Sequence, residues 1–379
     1  MKTILKARGL GMTLSLLLVC SCAIQDPVRS QLPPPVTINK EAGRGGHLTV
    51  TVRLESGQEL PFDVDTGAPV TVFNKSLEPQ LGKRLGQSSI NWWNGQEECH
   101  IYAAPKIYLG STPLPIAGKI FTSDLTRMGP HTMGVLGMDC LKHYCLQLDF
   151  AAGMMRFLSP DRVNAAELGK AFPLTVSGID SQRPFIRPTI HHGSLIGDST
   201  SLLIDTGCSI DGLVSEGAIK GIAVFLPECV WEGETFTNLI VAAADHANVL
   251  GLSFLARHLV TLDFPNRMMY LKQTSAGPLA GDILMEITHS DHRAILEAYE
   301  SLREKDQLPG LSKNDQGTVY LEASSGAGFE SVTFGFQKNG DLSTCHYKAS
   351  RASKESPWKL QKAWGTDPDA HTIKEYPVP

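Results

Sequence analysis

The sequence predicts a mainly β protein, two related β lobes followed by a small α+β module. Three observations carry this. Of 379 residues, 35 are Gly and 23 are Pro, a turn-rich composition with few long helical periods. The chain repeats itself internally, motif for motif. Only near the C-terminus does an amphipathic helical stripe stand out, and strand-like runs follow it. Hydrophobic residues at 42%, charged residues at 19% and a net charge of −5 exclude a disordered chain and a basic nucleic-acid-binding face, so no nucleic-acid partner is expected.

Residues 1–22 read as an export signal. Lys2, Lys6 and Arg8 precede the apolar run Leu10 to Val19, and small residues follow. Val19-Cys20-Ser21-Cys22 resembles a bacterial lipoprotein signal, in which Cys22 becomes the lipidated first residue of the mature chain. Ala23 after it, rather than Asp, would direct a Gram-negative lipoprotein to the outer membrane. Ordinary cleavage after Ser21-Cys22-Ala23 is the alternative and leaves a periplasmic or secreted protein. The expected location is the bacterial cell envelope, with the membrane as a partner through the N-terminal lipid. Residues 23–36, ending in Pro33-Pro34-Pro35, read as a semi-rigid tether.

Residues 37–160 and 161–276 form the two halves of the repeat. Phe62-Asp63-Val64-Asp65-Thr66-Gly67-Ala68 recurs in the second half as Leu202-Leu203-Ile204-Asp205-Thr206-Gly207-Cys208. One Asp-Thr-Gly alone reads as a polar turn after a strand. Its recurrence in step with other blocks does not. Val135-Leu136-Gly137 pairs with Val249-Leu250-Gly251, and at the same spacing, with no gap, Leu148-Asp149-Phe150 pairs with Leu262-Asp263-Phe264 and Met154-Met155 with Met268-Met269. Each half also holds a Trp-x-Gly turn: Trp93-Asn94-Gly95 follows Asp65, and Trp231-Glu232-Gly233 follows Asp205 at nearly the same spacing. Asn-Gly between apolar strands is a hairpin signal. Two such lobes would pack about a pseudo-twofold axis, as a fused isologous dimer does, and bring the two aspartates together.

With these motifs, residues 37 to 273 resemble an aspartic protease of the pepsin and retropepsin superfamily, the short lobes being closer to the retroviral-type repeat. The resemblance implies a bilobal acid-protease fold of two pseudo-twofold-related β-barrel lobes, and an aspartic-type endopeptidase acting on a peptide or protein substrate. It implies that Asp65 and Asp205 are the catalytic dyad, that Thr66 and Thr206 interlock beneath it, and that Gly67 and Gly207 allow tight loops beside substrate. Two carboxyls about 3 Å apart cannot both ionise cheaply, so they share one proton and supply the acid and the base that peptide hydrolysis needs. No cofactor and no metal is expected. Both halves lie in one chain, so a monomer is the expected active unit. A noncatalytic peptide- or envelope-binding lipoprotein on the same scaffold is the alternative.

Trp93, Asn94 and Gly95, and in the second half Trp231 and Gly233, are candidate flap residues that would close over a peptide. The alternative for each tryptophan is a place in the lobe core. Six cysteines would remain in the mature chain, Cys99, Cys140, Cys145, Cys208, Cys229 and Cys345, and they allow fifteen pairings among which the sequence does not choose. Cys208, which follows the second Asp-Thr-Gly, reads as a small core residue rather than a nucleophile.

Residues 281–379 read as an α+β accessory domain. Thr288-His289-Ser290-Asp291 has capping-box spacing, and Ile295, Leu296, Tyr299 and Leu302 make one apolar stripe. Strands are expected over Val319 to Ala323, Val332 to Phe336, Leu342 to Lys348, Trp358 to Trp364 and Thr372 to Tyr376.

Overall fold

The computed structural model describes residues 32–92, 95–129, 131–159, 164–177, 183–186, 190–191, 201–215, 223–244, 248–279, 290–315, 317–325, 331–338, 343–353, 355–367 and 372–378. The signal segment with Cys22, most of the tether, and Trp93 and Asn94 lie outside them.

The chain is mainly β and bilobal, and one sheet joins the two lobes. Its six strands run in the order Val36–Thr37, Met154–Leu158, Cys145–Asp149, His258–Asp263, Met268–Gln273 and Lys170–Pro173. At its centre Gln147 pairs with Thr261, and these two residues are separated by the same spacing as the repeated blocks. The flanking pairs, Leu146 with Leu262 and Leu148 with Val260, are related by exchange of the two halves. The pseudo-twofold axis therefore passes through the Gln147–Thr261 pair, where Gln147 Nε2 donates to Thr261 Oγ1 at 3.3 Å. The alternation of these strands buries Leu146, Leu148, Val260 and Leu262, and one residue of each repeated Met-Met, Met155 and Met269. This explains why those blocks recur: they form the lobe junction.

Lobe 1 is built on a nine-stranded sheet in the order Arg84–Trp92, Gly95–Ala103, Lys119–Ser123, Val72–Asn74, Gly134–Leu136, Glu59–Val64, Thr49–Leu54, Ile107–Leu109 and Thr112–Pro113. Lobe 2 repeats its central part: Glu234–Ala244, Gly212–Ser215, Val249–Gly251 and Leu202–Asp205 follow one another with the same parallel and antiparallel senses.

The C-terminal strands begin within two residues or so of where the sequence places them, and Thr372–Tyr376 matches outright. They extend the lobe 2 sheet instead of forming one of their own. Gly317–Ser325 pairs antiparallel with Ala223–Trp231, setting Ala223, Val224 and Phe225 opposite Leu321, Tyr320 and Val319. Ser331–Lys338, Thr344–Ser350, Lys359–Asp367 and Thr372–Tyr376 then continue the sheet. The helix Ser290–Glu304 covers one face, its stripe of Ile295, Leu296, Tyr299 and Leu302 buried. Tyr299 meets Phe334, Phe336 and, from lobe 2, Phe225. Phe225 and Ile240 of lobe 2 are buried in this cluster. At roughly 1.5–3 kcal/mol for each large apolar side chain, uncovering those two alone would cost about 3–6 kcal/mol. Lobe 2 and the C-terminal module therefore share a core.

All six cysteines of the described chain are free thiols.

Candidate active site

Two buried apolar strands, Glu59–Val64 and Leu202–Asp205, carry the Asp-Thr-Gly motifs to the lobe junction. Each lies parallel to the strand ending in the second repeated block, with Leu136 opposite Val64 and Leu250 opposite Ile204. The blocks then close over the motif loops. Met138 N donates to Ala68 O at 2.8 Å, and Leu252 N donates to Cys208 O at 2.6 Å. The Gly of each block is required by this approach. A Cβ on Gly137 would stand 2.4 Å from Val70 O, and one on Gly251 would stand 2.1 Å from Ile210 O, both inside van der Waals contact.

The two threonines meet across the axis. Thr66 N donates to Thr206 Oγ1 at 3.0 Å and Thr206 N to Thr66 Oγ1 at 3.1 Å. Each hydroxyl in turn donates to the opposite strand, Thr66 Oγ1 to Ile204 O and Thr206 Oγ1 to Val64 O, both at 2.6 Å. Both side chains are buried. Four hydrogen bonds thus join the loops, and each hydroxyl both donates and accepts, as only a hydroxyl can.

Above this platform the glycines hold the aspartates together. A Cβ on Gly67 would lie 2.5 Å from the Asp205 carboxyl, and one on Gly207 would lie 2.6 Å from that of Asp65. Each carboxyl therefore rests against the other motif's backbone. Asp65 Oδ1 accepts from Gly67 N at 2.7 Å and Ala68 N at 3.0 Å, and Asp205 Oδ1 accepts from Gly207 N at 2.8 Å. Burial pushes Asp65 well above the ordinary carboxylate value, and the charge of Asp205 and a side-chain hydrogen bond with it push the same way, against the two backbone N–H donors. This is the condition for a carboxyl pair to hold one proton between them.

Burial first, then the charge of Asp205, pushes the Cys208 thiol up, away from the thiolate that a nucleophile needs.

The sequence reading did not single out the groups that brace the loops. In lobe 1, Thr71 Oγ1 donates to Asp139 Oδ1 at 2.7 Å and accepts from Gly137 N at 3.3 Å. In lobe 2, Asp211 O accepts from Gly251 N at 2.9 Å, and its carboxylate bonds Arg257 Nη2 at 2.9 Å and Ile240 N at 2.8 Å. Thr71 and Asp211 occupy the same position after their respective aspartates, so carrying the repeat a little past each Asp-Thr-Gly would have paired them.

The first hairpin reaches the Asp65 loop. Its strands are Arg84–Trp92 and Gly95–Ala103, with Trp92 opposite Gly95. Ile90 packs against the same small cluster of Val72, Leu125 and Val135 as do Ala68 and Val70 of the Asp65 loop. Trp231 and Gly233 do not form a second flap. Trp231 is buried at 2% exposure, stacked on Phe172 with ring centroids 5.4 Å apart and flanked by Phe254. Its turn is tied by Glu232, whose carbonyl and carboxylate both bind Lys170 of the inter-lobe sheet. The reason is topological. In lobe 2 the strand after the Trp231 turn is itself parallel to Gly212–Ser215. In lobe 1 the strand parallel to Val72–Asn74 is Lys119–Ser123, and the strand after the Trp93 turn lies one place further out. The two Trp-x-Gly turns look alike in sequence and are not equivalent in the sheet.

Comparison with family models and with curated proteins finds no match. Among solved structures the chain is similar to basic 7S globulin from soybean, at 12% identity and a TM-score of 0.44, over 64% of this chain and 96% of that one.

Proposed function

We propose that the protein is an aspartic endopeptidase of the pepsin and retropepsin type, with Asp65 and Asp205 as its dyad. The observation that carries this reading is the mutual approach of the two carboxyls, each lying against the other motif's glycine above the Thr66–Thr206 interlock. On this reading the ionised carboxyl of the pair takes a proton from a water held between them. The water oxygen adds to the peptide carbonyl carbon while the protonated carboxyl donates to the carbonyl oxygen, and the tetrahedral species collapses by breaking the C–N bond with proton transfer to the leaving amine. The titration belongs to the pair, so neither aspartate is assigned as the acid. The chain's own residues supply position and protonation: the backbone N–H groups at 67, 68 and 207 orient the carboxyls, and burial holds the proton on the pair. The signal-like residues 1–22, ending in Cys22, support an activity that is lipid-anchored in the bacterial envelope and faces peptide or protein substrates there.

The test is cleavage of a denatured protein or mixed peptide pool by the purified chain. Asp65→Asn and Asp205→Asn should each abolish cleavage while keeping the wild-type circular dichroism and unfolding midpoint. Equal cleavage by wild type and both variants, or none by the folded wild type at any pH, would overturn the reading.

A further inference from the structure

The root of the first hairpin carries a polar cluster that the dyad chemistry does not use. Glu78 lies in the short 3₁₀ helix Lys75–Gln80, which follows directly on the strand Val72–Asn74 and is capped by Asn74. Its Oε1 accepts from His100 Nδ1 at 2.8 Å and from Thr122 Oγ1 at 2.6 Å. His100 belongs to the second strand of the hairpin and Thr122 to the strand beside it, directly opposite His100. The other ring nitrogen, His100 Nε2, lies 3.2 Å from Arg84 Nη1 on the first strand. One carboxylate and one imidazole thus join both hairpin strands to the helix behind the Asp65 loop.

The protonation pattern follows from the donors. A guanidinium only donates, so the nitrogen facing Arg84 accepts and carries no proton, and Nδ1 then carries the hydrogen given to Glu78. Burial pushes Glu78 up, but the hydrogen bonds from Thr122 and His100 outweigh it and hold the carboxylate below its ordinary value. The charged and titratable groups facing His100 are Glu78 from the helix and Arg84 from the first strand, with Tyr102 and Glu98 at the next alternate positions of its own strand.

We infer that Glu78 and His100 are positioning residues that latch the hairpin to the short helix Lys75–Gln80. Ile90 on the first strand reaches the cluster on which Ala68 and Val70 of the Asp65 loop also pack, so the way the hairpin is held bears on that loop. Its consequence for peptide binding rests on the endopeptidase reading above. The latch itself does not.

The experiment is hydrogen–deuterium exchange of the whole chain at near-neutral pH, corrected for intrinsic rates. Glu78→Ala should speed exchange across residues 84–103 by about tenfold, the loss of the charge-assisted bond that ties His100 of the hairpin to the helix. The inter-lobe strands Cys145–Asp149 and His258–Asp263 should exchange as in the wild type. His100→Asn keeps a donor where Nδ1 stood, so it should leave the hairpin attached and exchanging close to the wild type. Unchanged hairpin exchange in Glu78→Ala, or exchange in His100→Asn as fast as in Glu78→Ala, would overturn the inference. Exchange is read without substrate, so this failure is distinct from a failure of the protein to cleave peptide.

Discussion

Replacing Thr206 by Val keeps the shape of the side chain and removes one oxygen. That oxygen donates to Val64 O at 2.6 Å and accepts from Thr66 N at 3.0 Å, so two backbone groups of lobe 1 lose their partner in lobe 2. Neither has water to turn to, since Thr66 and Val64 are at most 1% exposed. An orphaned buried polar group costs about 1–3 kcal/mol, so Thr206→Val, which orphans two, should destabilise the chain by about 2–6 kcal/mol. Thr206→Ser keeps the oxygen and loses one methyl, a cost of about 1 kcal/mol. Urea unfolding followed by circular dichroism reads the difference, and Thr66→Val and Thr66→Ser should repeat it because the bonds are reciprocal. If the Val and Ser variants at 206 unfold at the same urea concentration, the hydroxyl carries no stability and the account of the interlock is wrong.

Three further outcomes can be checked directly. His258 is buried, and its pKa is lowered to about 4, first by burial. The unfolded imidazole binds a proton near pH 6.5, so stability should fall by about 3 kcal/mol as pH drops from about 6.5 to about 4 and then level off. His258→Phe, beside Phe236 and Phe254, should flatten that part of the stability curve, and an unchanged curve would count against it. At the dyad, Ala68→Ser would add a hydroxyl next to Asp65, favour its charged form and move the pH–rate profile of peptide cleavage towards acid; a shift towards alkaline pH would contradict this. Cys22→Ser should move the protein from the membrane to the soluble fraction, and a mature N-terminus beyond residue 22 without lipid would rule the anchor out.

What could be read from sequence was whatever the fold needs twice and locally. Asp-Thr-Gly and the apolar-apolar-Gly blocks are short, and each residue in them answers to a contact within its own motif or its copy. Gly137 and Gly251 illustrate this: both are glycine because a loop backbone passes within reach of a Cβ. The junction between Ala223–Trp231 and Gly317–Ser325 was not legible, because a strand edge has no sequence mark naming a neighbour so far along the chain. The same holds for Glu78 and His100, and for Asp211 and Arg257, whose pairing is a product of tertiary placement. Trp231 misled for a different reason. A Trp-x-Gly turn reports a hairpin, and nothing in it reports how many strands separate that hairpin from the motif loop.

The distribution of symmetry within the molecule has a physical cause. Across the axis the hydrogen bonds of Thr66 and Thr206 nearly coincide, at 3.0 and 3.1 Å for the N–H donors and 2.6 Å for both hydroxyls. Two residues on, position 68 is Ala and its counterpart 208 is Cys. Further out, Thr71 braces one loop through Asp139 while Asp211 braces the other through Arg257. In a dimer of identical chains every substitution appears twice, and a change must be tolerated in both places. A fused chain removes that condition wherever a residue serves its own lobe alone. It remains on the axis, where each threonine's partner is the other and a change on one side orphans groups on both. Lobe 1 can then carry the hairpin latched by Glu78. Lobe 2 gives the corresponding sheet edge to the C-terminal strands, and the four bonds beneath the aspartates stay the same.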